Sequence, residues 1–293
     1  MKSKEGPLLV SDRPDVFFSP STTTFDIVEK PLNSWARLAN QTALRKTFLL
    51  VLLAGIWEAY ARWLNNPLLF PTFTDTVAAF VSSIASGELP RAAAYTIQML
   101  LKGYAAGLAL AALLTAFASA TRIGADLLET LTAMFNPLPS IALLPLALVW
   151  FGLGSGSIIF VLIHAVLWSV ALNAHAGFRA VSPTLRMVGQ NYGLSRTAYI
   201  TRILIPGAFP SILTGLKVGW AFAWRTLIAA ELVFGVSSGS GGLGWYIFER
   251  KNELLIPSVF AGLLTVILFG LLVDNLIFRT VENRTVRRWG MQT

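Results

Sequence analysis

The sequence predicts an all-α, polytopic membrane protein with six transmembrane helices. Of its 293 residues, 55% are apolar and 13% are charged, and the mean hydropathy is +0.63. Soluble proteins carry about 25% charged residues, so a globular domain with a solvated surface is excluded. A helix that crosses the hydrocarbon core of a bilayer needs about 20 predominantly apolar residues. Six segments meet that requirement once a few polar interruptions are allowed.

The region before the first apolar segment is polar. Residues 1–30 hold prolines among Ser, Thr and Asp and lack the charged, apolar and small-residue regions of a signal peptide. We expect them to form a flexible cytoplasmic tail, or a segment that docks on a partner through short apolar patches. Residues 31–46 mix Trp35 and Leu38 with Arg37, which favours an amphipathic helix in the membrane interface.

The six spans belong to a transmembrane domain at 47–281, and residues 282–293 are expected to form a cytoplasmic C-terminal tail. The predicted spans are 47–64, 93–121, 125–151, 157–178, 212–236 and 257–280. The third span holds Pro137, Pro139 and Pro145, each of which removes a backbone donor and favours a kink or break. A broken helix persists in a membrane where neighbouring protein or a cavity satisfies its backbone.

Two further segments lie between the spans on the outer side. "DTVAAFVSSIASG", after Thr74, predicts a short amphipathic helix. "SSGSGGLGWYIF" is rich in glycine and is expected to form a turn. A phosphate-binding loop is not expected there, because the stretch lies on the outer side of the membrane.

The basic residues predict the orientation of the chain. With a cytoplasmic N-terminus, sixteen Lys and Arg residues lie on the inner side and four on the outer side, while three lie within spans. Positive charge accumulates on the cytoplasmic side of membrane proteins. Both termini and the loop 181–211 are therefore expected in the cytoplasm, and the net charge of +8 does not indicate nucleic acid as a partner.

The loop 181–211 contains the stretch "MVGQNYGLSRTAYITRILIP", which predicts two short helices. Ser182 and Pro183 form a helix start, because a serine caps free backbone donors and a proline at the first position loses no hydrogen bond. Gly193 is suited to the left-handed conformation that ends a helix, and Ser195 can cap the second helix. Pro206 is expected to stop that helix before the next span. By shape alone, an ordinary folded loop remains an alternative.

The spacing in this loop resembles a known motif. Gly193 is followed after nine residues by Ile203, and then by Ile205 and Pro206, as in the "EAA" loop of permease subunits of ABC importers. The text "NYGLSRTAYITRILIPGAFPSILTGLKVGWAFAWRTLIAAELVFG" is similar to the branch that imports nitrate, taurine, alkanesulfonates and bicarbonate, and so is "NPLPSIALLPLALVWFGLGSGS". The resemblance extends over about residues 47–289.

Two departures from the family pattern concern the loop. Met187, Val188 and Gly189 stand where the family has Glu-Ala-Ala, and Ile205 replaces a leucine. Without the glutamate, this chain is not expected to make any ionic contact that the family forms through it, whereas Gly193 and the spacing are kept.

The resemblance implies the type I ABC importer permease fold with a cytoplasmic coupling helix. It implies as partners ABC ATPase subunits, a second copy of the permease in a homodimer, a periplasmic or lipid-anchored substrate-binding protein, and membrane lipid. It also implies a bacterial inner-membrane location. The residues assigned to ATPase coupling are Met187, Val188, Gly189, Tyr192, Gly193, Leu194, Ile203 and Pro206.

No catalytic residue is predicted, because the sequence has no GxxxxGK[ST] phosphate loop. No cofactor is expected in this chain, and ATP and Mg are expected to be used by the partner ATPase. His164 and His175 lie about 16 Å apart on a helix, too far to share a metal ion, and are expected to contact neighbouring helices.

Candidates for the translocation path are Arg225, Lys217, Glu231, Pro137 and Pro139. Ionisable residues inside spans are costly and indicate function by default. A cationic lining for a small anion is one interpretation of Arg225; the alternative is a structural ion pair with Glu129, Asp274 or Glu231.

The sequence leaves two other functions open. A secondary transporter of small anions commonly has inverted repeats and coupling-ion ligands near the midplane, and neither is evident here. A membrane-embedded enzyme requires a cluster of His, Asp or Glu near one interface, which the scattered acidic residues and two histidines do not form.

Overall fold

The computed structural model describes residues 41–234, apart from the side chain of Phe234, and residues 241–290. Within these ranges the regular structure is helical and no strand occurs. The helices, numbered α1 to α12, are Thr42–Leu64, Phe73–Ala85, Glu88–Ala120, Arg122–Phe135, Leu144–Phe151, Ser155–Ala180, Pro183–Asn191, Arg196–Tyr199, Ile205–Phe234, Leu243–Asn252, Ile256–Leu272 and Arg279–Arg284. The predicted all-α fold class is confirmed.

Five helical segments are long and apolar enough to cross a membrane. They are Thr42–Leu64, Glu88–Ala120, Ser155–Ala180, Arg196–Val233 and Ile256–Arg284. The chain bends by 88° between α4 and the helical segment Ser140–Phe151, so these two are separate helices. Counted together as one broken span, they form a sixth span. The bend contains Pro137 and Pro139, where the sequence predicts a kink or break.

The beginning of α1 differs from the expectation for residues 31–46. Thr42 already begins α1, so residues 42–46 continue directly into the span. The predicted tail at 1–30 and residues 31–40 lie outside the described residues. By contacts, the chain divides into a unit that ends at Leu52 and a unit that begins at Leu53.

Helix α6 forms the centre of the core, and half of its 26 residues are buried. It packs against α3 and α9. Small residues allow the close approach of α3: a Cβ atom at Gly107 would lie 2.8 Å from Cβ of Val166. Close packing of this kind drives helix association in a bilayer, where the hydrophobic effect does not act between helices.

The predicted helix after Thr74 is confirmed as α2, which Thr72 caps by accepting a hydrogen bond from the backbone of Asp75 at 3.0 Å. The expected turn in "SSGSGGLGWYIF" is wrong for its second half, because α10 begins at Leu243, and residues 237–240 lie outside the described part. Buried side chains of α3 and α9 accept hydrogen bonds from the first amides of α10, as described below, and so support a helix there.

Helix α10 is tied to its neighbours by polar contacts. The hydroxyls of Tyr246 and Ser83 are 2.8 Å apart, and Arg250 forms an ion pair with Glu88 at 3.1 Å. Burial opposes the charge of Arg250, but the carboxylates of Glu88 and Glu253 outweigh it and raise the pKa of Arg250.

The C-terminal segment packs against the first half of α9. Val286 is 1% exposed and lies in a cluster with Leu213 and Phe278, and the ring of Trp289 lies 5.6 Å from that of Phe209. The predicted tail at 282–293 is thus packed on the helices as far as Trp289, and residues 291–293 lie outside the described part.

Candidate functional site

The loop between α6 and α9 begins with the predicted helix. Pro183 is the first residue of α7, and the side chain of Ser182 accepts a hydrogen bond from the backbone of Leu185 at 3.3 Å. This is the cap expected for a serine followed by a proline. The guanidinium of Arg186 donates to the carbonyls of Phe178 and Val181 at 2.6 and 3.1 Å, which fastens α7 to the end of α6.

A tight turn ends α7. Gly193 has a φ of +63°, in the left-handed region, and its amide donates to Gln190. The amide of Leu194 reaches back to the carbonyl of Gly189 at 3.2 Å. These bonds form the glycine-terminated helix end predicted from the sequence.

The second helix starts at Arg196, after Ser195 accepts a hydrogen bond from the backbone of Ala198 at 3.3 Å. The prediction that Pro206 stops this helix is wrong, since Arg196–Val233 is continuous. Residues 200–204 form a π turn in which the amide of Ile205 bonds to the carbonyl of Ile200. The wider turn relieves the clash that a proline ring makes in a regular helix.

The two short helices pack on each other through Gly189. A Cβ atom at this position would lie 2.8 Å from the ring of Tyr199, so glycine permits the contact where the family motif has alanine. The loop also exposes apolar side chains: Tyr192 is 80% exposed, Met187 54% and Val188 40%. Leu194, Ile203 and Pro206 are half-buried.

A second feature is a partly open cavity of about 440 Å³. It lies where the bend between α4 and α5 meets α6 and α9. Its polar walls include Arg225, His164 and Ser140, and the prolines of the bend, Pro137 and Pro139, also line it. Nδ1 of His164 lies 3.1 Å from Oγ of Ser140.

The cavity lies near the middle of the spans. Arg225 precedes the end of α9 by nine residues, and His164 follows the start of α6 by nine. Because α6 and α9 run in opposite directions, both side chains lie about 13 Å from the same end of the bundle. That distance is close to half of a hydrocarbon core about 30 Å thick.

Arg225 has no carboxylate partner in the described part of the chain. Its guanidinium lies over the ring of Phe222, 5.8 Å from the centroid, and its side chain is exposed. The structural ion pair with Glu129, Asp274 or Glu231 is thus absent from residues 41–234 and 241–290. Phe222 offers only a weak attraction to a cation.

The family of inner membrane components of binding-protein-dependent transport systems matches residues 103–286 of the chain, which contain both the loop and the cavity. The chain belongs to this family. The resemblance to ABC importer permeases is confirmed, and so is the expectation of a transport permease of the inner membrane rather than an enzyme.

Several relatives are similar to this permease. A putative ABC transporter permease of Methanocaldococcus jannaschii is 30% identical over 224 residues, 75% of this chain and 83% of the relative. A putative aliphatic sulfonates transport permease of Escherichia coli is 30% identical over 229 residues, 78% of this chain and 85% of its own. The taurine transport system permease of Escherichia coli is 33% identical over 158 residues, 54% and 56% of the two chains.

The permease brings only part of the predicted path together. Arg225, Pro137 and Pro139 line one cavity, whereas Lys217 and Glu231 are not among the residues that line it. Lys217 forms an ion pair with Glu282, which ties α9 to α12.

Glu231 is 2% exposed and binds the start of α10. Its carboxylate accepts hydrogen bonds at 2.9 Å from the amide of Gly244 and from the hydroxyl of Thr96. The amide of Leu243 donates to the same hydroxyl at 2.8 Å. The permease therefore uses this carboxylate to hold α10 against α3 and α9.

Sequence reasoning missed the part of His164 and Ser140 in the cavity. His164 was expected only to contact a neighbouring helix, and Ser140 was not singled out. The predicted spans place His164 seven residues after the start of one span and Arg225 eleven residues before the end of another, so their depths did not indicate a shared cavity. The meeting of these spans with the proline bend depends on tertiary packing, which the spacing does not reveal.

Proposed function

We propose that this permease forms, as a homodimer, the translocation path for a small anion delivered by a periplasmic or lipid-anchored binding protein. The observation that carries the proposal is the exposed guanidinium of Arg225 at mid-depth on the wall of a cavity. The relatives named for taurine and aliphatic sulfonates support an anionic substrate. Bicarbonate and nitrate, which the resemblance includes, share with taurine and the aliphatic sulfonates a negatively charged oxyanion group.

A charged side chain on the surface of a span is costly against lipid. A second permease copy removes this cost by covering the face of α9 and enclosing the cavity between protein walls. The planar fork of a guanidinium matches the oxygens of a sulfonate, nitrate or bicarbonate. His164 of α6 and Ser140 add hydrogen-bonding groups to the same cavity. A site with one cation binds such an anion weakly enough to release it.

ATP hydrolysis by a partner ATPase supplies the energy, and ATP and Mg²⁺ are bound there. The loop 181–211 couples the two subunits. Its exposed apolar side chains, at Met187, Val188 and Tyr192, offer a docking surface. The internal packing at Gly189 makes the loop stiff enough to transmit movement to α6 and α9. In this arrangement both termini of the permease face the cytoplasm.

The test of the anion path is uptake by the reconstituted permease, ATPase and binding protein in lipid vesicles. We expect Arg225→Gln to lower uptake of radiolabelled taurine or nitrate at least tenfold, because the guanidinium that lines this cavity is lost. Arg122→Gln is the matched control, since Arg122 is exposed at the start of α4 and does not line the cavity. Co-purification of the ATPase measures assembly.

Unchanged uptake in the Arg225→Gln transporter would remove the basis of the proposed path. If the variant does not fold and removal of Asp274 restores folding, Arg225 is part of a structural ion pair and has no role in transport.

A further inference from the structure

Four buried side-chain atoms in the described part of the chain have no hydrogen-bond partner. They are Oγ1 of Thr132, Nε2 of His164, Nε1 of Trp168 and Nδ1 of His175. A buried polar group without a partner costs about 1–3 kcal/mol, so such groups are few and each requires a reason.

All four atoms lie along one seam, between α4 and α6. Thr132 is on α4 and the other three residues are on α6. The ring of Trp168 stacks on that of Phe135 of α4, with centroids 5.4 Å apart and an interplanar angle of 12°. The unpaired atoms therefore share one contact between two helices and are not scattered through the core.

The seam holds a second cavity, of about 780 Å³. Its polar walls are Glu129 and Thr132 from α4, and His175 and Arg179 from α6. It shares Asn136 and Pro137 with the cavity that contains Arg225. The two cavities are thus neighbours at the proline bend.

The positions of these residues along α6 show that the two cavities follow one another across the membrane. His175 follows His164 by eleven residues and Arg179 follows it by fifteen, which correspond to about 16 and 22 Å along α6. Arg179 is one residue from the end of α6 and close to the start of the loop 181–211. The seam therefore leads from mid-depth to the end of the bundle that carries this loop.

The second cavity offers the groups that bind an oxyanion. Arg179 supplies a cation, and the walls also contain Thr132 and His175, whose Oγ1 and Nδ1 have no other partner among the described residues and are shielded from water in this arrangement. Glu129 places a carboxylate in the same walls, which lowers the affinity for an anion. Weak binding is what a site on a transport path requires, because an anion that is bound tightly would not be released.

We propose that this cavity is a second anion station, in which Thr132, His175 and Arg179 receive the anion from the Arg225 cavity past Asn136 and Pro137. The proposal rests on the proposed function and adds the inner half of the path to it. Glu129 opposes retention of the anion and favours its release at the end near the loop 181–211.

The first test measures access to Thr132. The chain contains no cysteine, so a single Thr132→Cys substitution gives one reactive thiol. Val166→Cys is the matched control: Val166 is fully buried in α6 and packs on Gly107 of α3. The probe is 2-sulfonatoethyl methanethiosulfonate, a small sulfonate that modifies thiols, and its trimethylammonium analogue serves as the cationic comparison.

We expect the sulfonate probe to modify Cys at 132 at least tenfold faster than Cys at 166 in the assembled, ATP-driven transporter. With each rate divided by the rate of the same probe with a free thiol in solution, we also expect it to react faster there than the cationic analogue, and taurine or nitrate to slow the reaction. If position 132 reacts as slowly as position 166, or if the normalised rates of the two probes are equal, the anion station is overturned.

The second test measures transport. We expect Arg179→Gln to reduce uptake of taurine or nitrate at least fivefold relative to the Arg122→Gln control. We expect Glu129→Gln to let the same anions protect Cys at 132 at several-fold lower concentration. If the Arg179→Gln chain does not fold, Arg179→Lys replaces it, and the labelling of Cys at 132 then decides whether the station exists.

The two proposals fail in different ways. If Arg225→Gln lowers uptake but Arg179→Gln does not and Cys at 132 is unreactive, the Arg225 path stands and the second station is wrong. If neither substitution changes uptake, the proposed anion path itself is wrong.

Discussion

Replacing Glu231 with alanine separates an anchoring role for this carboxylate from a role in transport. Glu231 is 2% exposed and accepts hydrogen bonds at 2.9 Å from the amide of Gly244 and the hydroxyl of Thr96. That hydroxyl in turn accepts from the amide of Leu243 at 2.8 Å. The carboxylate thus joins α3, α9 and the first turn of α10 in one network.

The expected loss of stability follows from the hydrogen-bond donors that are left without an acceptor. In Glu231→Ala the amide of Gly244 and the hydroxyl of Thr96 lose their partner, at about 1–3 kcal/mol each. We therefore expect the free energy of unfolding to fall by about 2–6 kcal/mol. Glu231→Gln keeps one acceptor oxygen and should cost less. Thr96→Val removes the acceptor of Leu243, and its effect should not add fully to that of Glu231→Ala, because both belong to one network.

The assay is hydrogen exchange of the purified permease in detergent, followed by mass spectrometry of a peptide that covers 243–252. We expect this peptide to lose protection in Glu231→Ala and to keep most of it in Glu231→Gln, with a matching order of thermal unfolding temperatures. An alanine variant with wild-type protection and stability but reduced anion uptake would refute the anchoring role and return Glu231 to the translocation path.

Two further predictions concern the loop and the topology. Because Gly193 has a φ of +63° and nothing within 4 Å of an added Cβ, Gly193→Ala should lower stability by about 1 kcal/mol through backbone strain alone. Gly193→Asn should lower stability less. Thermal unfolding measures this order, and equal stability of all three chains would contradict the assigned turn. For topology, Ser86→Cys and Asn283→Cys, both at exposed positions, should be labelled from opposite sides of the membrane by an impermeant maleimide. Labelling from the same side would contradict the predicted orientation.

Local sequence determined the spans and the capping of the loop. The apolar length of a span depends only on the thickness of the bilayer, so composition within a window of about 20 residues is sufficient. The caps at Ser182 and Ser195 and the turn at Gly193 depend on hydrogen bonds between residues at most five apart. For the same reason the position of the bend could be predicted from Pro137 and Pro139.

Predictions failed where a local preference was overruled by neighbouring structure. Pro206 was expected to stop a helix, but a π turn takes up the proline and the helix continues. The glycine-rich stretch before Trp245 was expected to be a turn, but Glu231 and Thr96, distant in sequence, bind the first amides of α10.

Ionisable residues inside a span could be recognised from the sequence as costly, but their roles could not. Lys217, Arg225 and Glu231 lie on one helix. The cost of an ionisable side chain inside a span indicates function for all three equally. Packing gives Lys217 a carboxylate partner, places Glu231 against the amide of Gly244 and the hydroxyl of Thr96, and leaves Arg225 on a cavity wall. The surroundings of each side chain depend on the rotation of α9 against α3, α6 and α12. That rotation results from contacts between residues far apart in the chain, so only the tertiary structure decides it.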